Sequence, residues 1–166
     1  LYLINANLTP SLSGRTYGNL EVDFPTALLN TSGTAAVSID NLIITNGTMN
    51  FNMTATPGHS IKGNITVAAG GILNFAPASA GTVNLNGTSA QTISNAGTLT
   101  FGALSTINVN NTNGVTLSSP VAFNNLSFTD GLITTGANTV TVNGTLSGGS
   151  ATAHVNGKLA LPFAAA

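Results

Sequence analysis

Apolar residues recur at alternate positions in short runs along most of the chain. Leu20-Glu21-Val22-Asp23-Phe24 alternates, and so does Met49-Asn50-Phe51-Asn52-Met53. The pattern is densest from Phe101 to Val142. There Thr106-Ile107-Asn108-Val109, Val115-Thr116-Leu117, Val121-Ala122-Phe123, Leu126-Ser127-Phe128, Leu132-Ile133-Thr134 and Thr139-Val140-Thr141-Val142 follow one another. A period of two means a strand with one face buried and one face wet. Turn residues separate the runs: Asn110 to Gly114, Ser118-Ser119-Pro120, Asn124-Asn125, Asp130-Gly131 and Gly136-Ala137-Asn138.

The runs return after only five to eight residues. Strands of a hairpin sandwich are usually spaced by about 8–12 residues. Strands this short and close suit a chain that turns corners and stacks on its own previous coil. The pattern predicts an all-β, right-handed parallel β-helix (a β-solenoid) with short strands. Crossover connections between parallel strands are nearly always right-handed. A β-sandwich is the alternative, because Asn-Gly pairs also favour two-residue hairpins. In that case Val115-Thr116-Leu117 would pair antiparallel with Val121-Ala122-Phe123. Even within the solenoid, some antiparallel pairing is expected near Val155 to Leu159. Pro25 is expected to end the strand begun at Leu20, and Thr56-Pro57-Gly58-His59 to form a loop.

A longer correspondence runs through the chain at an offset of 84 (101 minus 17). Tyr17-Gly18-Asn19-Leu20 then falls under Phe101-Gly102-Ala103-Leu104, and Asn41 to Gly47 under Asn125 to Gly131. This divides the chain into a first solenoid repeat, 1–84, and a second, 85–166, continuous in one body. Each would hold several coils of about 20 residues. Leu42, Ile44, Phe123, Leu126 and Phe128 should then be buried, in equivalent places in both halves.

Composition narrows the chemistry. Of 166 residues 42% are hydrophobic and only 4% charged, against about 25% charged in ordinary globular chains. Glu, Lys, Arg and Gln, which long helices normally use, are nearly missing, and Val, Ile, Thr and Phe favour strands. With Arg15, Lys62 and Lys158 as its only basic side chains besides His, the chain lacks the cation cluster that nucleic acid requires. There is no cysteine, hence no disulfide or thiolate metal site. No apolar run approaches the ~18 residues of a membrane span. The sequence starts at Leu1 without Met or a basic leader, and so reads as a segment or processed form.

No catalytic, cofactor-binding or metal-binding residue set emerges. Glu21 and Asp23 lie two apart on one strand face, the one arrangement resembling a glycosidase pair; two solvated strand residues is the simpler reading. Asp40 stands alone, and Asp130 reads as a turn residue. His59 and His154 read as surface-loop histidines, too few for zinc. Sequons such as Asn46-Gly47-Thr48, Asn86-Gly87-Thr88 and Asn143-Gly144-Thr145 are expected by chance in so Asn- and Thr-rich a chain. The Thr98/Thr100 and Thr139/Thr141 pairs would suit an ice-binding array only if they recurred in every coil.

The stretches Asn84 to Ser94, Asn125 to Thr139 and Val155 to Ala160 resemble repeat modules of large, secreted, adhesin-like surface proteins of Bacteroidota, many exported by the type 9 secretion system. The similarity covers Asn84 to Phe163, and Tyr17 to Thr48 through the internal correspondence. No stretch of this sequence reads as the C-terminal sorting domain of such proteins, so the export route rests on the resemblance alone. The resemblance implies an extracellular or cell-surface location. It also implies a non-catalytic structural module that extends, presents or assembles, with filament or sheath formation as a variant. Partners would be neighbouring repeats, copies of itself, surface or host glycans, and the secretion machinery during export. A carbohydrate-binding or carbohydrate-cleaving β-helix is the alternative function, and ice binding the third.

Overall fold

The alternation at Leu20-Glu21-Val22 produces a strand whose Leu20 and Val22 are fully buried. The same rule sets the inward residues of every coil above it. The computed structural model describes residues 9–162 and the backbone of residues 2–4. Among them are fifteen strands and no helix, wound as a β-solenoid of about six turns. All the paired strands run parallel, each on its neighbour one coil away.

The register defines three faces. On the first, Tyr17, Ile39, Ile61, Leu85, Val109 and Phe128 stack in one column. On the second, Leu20, Leu42, Ile65, Ile93 and Leu117 do so, followed on the inward position beside them by Val115, Ile133 and Val155. On the third, Leu29, Met49, Leu73 and Leu99 form one column. Beside it stand Phe51, Phe75 and Phe101. Phe123 continues that aromatic column, its ring centroid 4.9 Å from that of Phe101. Phe75 and Phe101 are stacked with their centroids 5.1 Å apart and their ring planes nearly parallel. Each such ring pair adds about 0.5–1.5 kcal/mol beyond the area it buries.

Leu42, Ile44, Phe123, Leu126 and Phe128 are all buried. Their predicted equivalence across the 84-residue offset is not what the register shows. Leu42 stacks on Ile65 in the second face, whereas Leu126 stacks on Ile107 in the first. Tyr17 lies in the first face and Phe101 in the third. The offset carries each run to a different face, because three faces with the same inward–outward alternation can share a sequence pattern. What repeats in space is the coil. Its length is 22 residues from Leu20 to Leu42 (42 minus 20), 28 from Ile65 to Ile93 (93 minus 65) and 18 from Val115 to Ile133 (133 minus 115).

Turn residues make corners rather than hairpins. Val115-Thr116-Leu117 pairs with Gln91-Thr92-Ile93 and, through Val115 and Thr116, with Ile133-Thr134. Val121-Ala122-Phe123 pairs with Val140-Thr141-Val142. The strand Thr16–Asn30 continues through Pro25 instead of ending there. Pro25 sits where the ladder to the next coil lapses, between Asp23 and Leu28, so its missing N–H costs no bond. Asn46-Gly47 likewise bends the strand Ser38–Phe51, with Gly47 at a φ of +85°. Val155 to Leu159 does not turn back on itself. It pairs parallel with Ile133 to Val140, since the next coil offers its edge there. The single antiparallel bridge among the described residues is Ser150 to Ala153.

Candidate functional site

Outward side chains bond from coil to coil. Asn74 donates to Asn50 and Asn50 to Asn30, each at 2.8 Å. Asn108 donates to Asn84 at 2.9 Å, and the Ser127 hydroxyl in turn donates to Asn108 at 3.1 Å. An amide can accept on one side and donate on the other. Identical residues in adjacent rungs therefore form continuous ladders.

The carboxylates are drawn into the same scheme. Glu21 accepts from the Thr45 hydroxyl and Asp23 from the Asn46 amide, both at 2.7 Å. They are tied to the next coil rather than merely solvated, and neither lines either of the two clefts described below. Asp130 accepts from the Gly131 N–H at 2.8 Å, a turn contact beside a glycine at φ +87°. Asp40 lines one of these clefts. Among the described residues no group of three His, Asp or Glu converges to hold a metal ion.

The two histidines differ from each other. His154 is exposed, its Nδ1 3.1 Å from the Ser150 carbonyl. His59, expected on the surface, is buried. It occupies an inward position of the strand His59–Ile61 and meets Phe51 edge to face at 5.0 Å. Its Nδ1 accepts from the Val37 N–H at 3.2 Å, which places the ring proton on Nε2, an atom that makes no well-formed hydrogen bond. Burial lowers its pKa, with the Met53 backbone carbonyl opposing in part. It is a neutral core residue.

Two of the three sequon asparagines named above have engaged side chains. Asn46 donates to Asp23, and Asn86 donates to the Ser60 hydroxyl at 3.1 Å. Asn143 is exposed. The Thr98/Thr100 and Thr139/Thr141 pairs build no array. Thr98 and Thr100 stand above Ile72 and Asn74, and Thr139 and Thr141 against Lys158 and Ala160. Register instead aligns Thr92, Thr116 and Thr134 on the second face. Sequence reading missed this column because its steps are unequal, 24 residues (116 minus 92) and then 18 (134 minus 116).

Concave surface lies at the corners. One shallow cleft of about 240 Å³ is lined by Thr34, Thr54, Ala55, Thr56, Ser79 and Ala80. Another, about 280 Å³, is lined by Asp40, Lys62, Gly63, Thr88 and Ser89. Behind the second is a buried polar knot. Gln91 donates to the carbonyls of Ile61 and Gly63, and accepts from the Gly87 N–H at 3.0 Å and from Asn111 at 2.9 Å. Asn111 also donates to the Ser89 carbonyl at 2.8 Å, and Asn113 to that of Thr88 at 3.0 Å. Each donor and acceptor of the Gln91 amide is used, as burial demands. Compared with protein-family models, curated proteins and solved structures, the chain gives no match.

Proposed function

We propose that this chain is a non-catalytic structural module of a long extracellular or cell-surface protein, one that extends and presents other parts or assembles with copies of itself. The observation that supports this most is the use made of the polar side chains. Many Asn, Thr and Ser side chains, with Glu21 and Asp23, bond to the next coil, and one apolar cluster runs through the interior. Such a body resists bending and grows by adding coils, because each coil needs only its neighbours. The resemblance of Asn84 to Ser94 and Asn125 to Thr139 to adhesin-like surface repeats of Bacteroidota supports the location and the broader role in adhesion.

Two measurements on the purified chain test this. Held between two handles and stretched, it should lengthen in a series of small steps as coils peel off. Incubated with soluble polysaccharides, it should release no reducing ends. Sugar release that disappears in the double variant Glu21→Ala, Asp23→Ala would replace this reading with a carbohydrate-cleaving one.

A further inference from the structure

The second corner cleft has features that coil stacking alone does not account for. On the coil that carries Lys62 and Gly63 the chain takes the corner in four residues, Ile61 to Ile65 (65 minus 61). On the next it takes eight, Leu85 to Ile93 (93 minus 85). The surplus forms the loop 86–90, which stands over Lys62-Gly63 and, one coil further, over Asp40. The loop is held from behind by the Gln91–Asn111–Asn113 bonds to its backbone. Gln91 is 2% and Asn111 1% exposed. Its two carbonyls are thus fixed inward, while the Thr88 and Ser89 side chains remain exposed.

The chain has only seven Asp, Glu, Lys and Arg residues. Two of opposite sign, Asp40 and Lys62, line this one cleft. Among the described residues, neither charged group, nor the Thr88 or Ser89 hydroxyl, has a partner. The fold thus sets a free carboxylate, a free ammonium and two free hydroxyls around about 280 Å³.

We infer that the cleft lined by Asp40, Lys62, Thr88 and Ser89 binds a single unit of a neutral saccharide. The opposite charges cancel at a distance, so the cleft favours neither anions nor cations. A carboxylate accepts from two hydroxyls, an ammonium donates to hydroxyl or ring oxygens, and Ser and Thr do both. A sugar ring supplies that mixture on adjacent carbons, and its bonds to the two ions are charge-assisted. No aromatic, Val, Leu or Ile side chain lines it. Its volume lies just below the roughly 300–1,000 Å³ of sites for drug-sized ligands, which suits one ring rather than an oligosaccharide. The bonded loop costs little to order on binding. Affinity for one unit should be millimolar, rising when many copies face a glycan-coated surface. This site goes beyond the scaffold reading, and its failure would leave that reading intact.

The test is an amide chemical-shift titration of the whole chain with the methyl glycosides of mannose, galactose, glucose and fucose. The inference expects at least one to shift Asp40, Lys62, Gly63, Thr88 and Ser89 together and to saturate at millimolar concentration. Asp40→Asn and Lys62→Met, both exposed and tolerable to the fold, should each weaken that glycoside about tenfold or more. Glycine as a zwitterionic probe should leave the five amides unmoved. The inference is overturned if no glycoside shifts them, if glycine shifts them equally, if shifts spread evenly over the Asn and Thr ladders, or if the two variants bind as the parent does.

Discussion

At the scale of the residue, the fold depends on what each inward position will tolerate. Phe75 stands between Phe51 and Phe101 in the aromatic column. Phe75→Ala should cost about 3–5 kcal/mol, and so should Phe128→Ala. Phe24 is 40% exposed, and Phe24→Ala should cost less than about 1 kcal/mol. Urea unfolding of the three variants checks this; equal losses at Phe75 and Phe24 would contradict the inward assignment. His59 adds a dependence on pH. Desolvation holds its folded pKa below the ordinary 6.5, so the unfolded chain binds the proton more readily. The stability that neutral His59 contributes is complete above about 6.5 and is lost as pH falls from there towards the folded value. Protonation would also remove the acceptor that the Val37 N–H uses. The urea midpoint should therefore be lower at pH 5.5 than at pH 7.5, and His59→Leu should flatten most of that difference. A parent midpoint that does not move would show His59 to be exposed.

At the scale of the element, corners carry the constraint. Gly131 has a φ of +87°, and a Cβ there would run into the Asn111 carbonyl. Gly136 has a φ of +58°, with open space around it. Gly131→Ala should thus cost clearly more than the roughly 1 kcal/mol expected of Gly136→Ala, as thermal melts of the two variants would show; equal shifts would mean that the coils are not nested at Gly131. The strands themselves were legible in the sequence. Alternation at Leu20 to Phe24, Met49 to Met53 and Val115 to Phe123 identified them and most of their inward residues. Corners were less so. Asn46-Gly47 and Ser118-Ser119-Pro120 have the same local turn chemistry whether the chain doubles back or goes on. Only the partner strand, some 20 residues away, decides. His59 was misplaced because its neighbours Gly58 and Pro57 signal a loop, while the Phe51 ring that covers it is eight residues back in sequence (59 minus 51). The corner cleft escaped notice because it depends on one corner being longer than the corner below it.

At the scale of the whole molecule, the columns running through all three faces give successive coils the same inward positions, whatever the length of their corners. Leu42 and Ile65 occupy the same column in successive rungs, so residues 42–64 are one complete coil whose ends meet the register on both sides. Parallel strands in adjacent rungs lie about 4.8 Å apart. Stability is then close to a sum over coils and their interfaces, which is why a chain with so few charges can hold its form through ladders and apolar columns. The 84-residue correspondence instead makes a block of several coils the repeating unit. The measurement that separates these is small-angle scattering of a variant carrying three further tandem copies of residues 42–64. The solenoid account predicts a folded rod longer by about 14 Å (three rungs of about 4.8 Å) with an unchanged cross-section. An unfolded chain, or a body that grows in width instead of length, would contradict it.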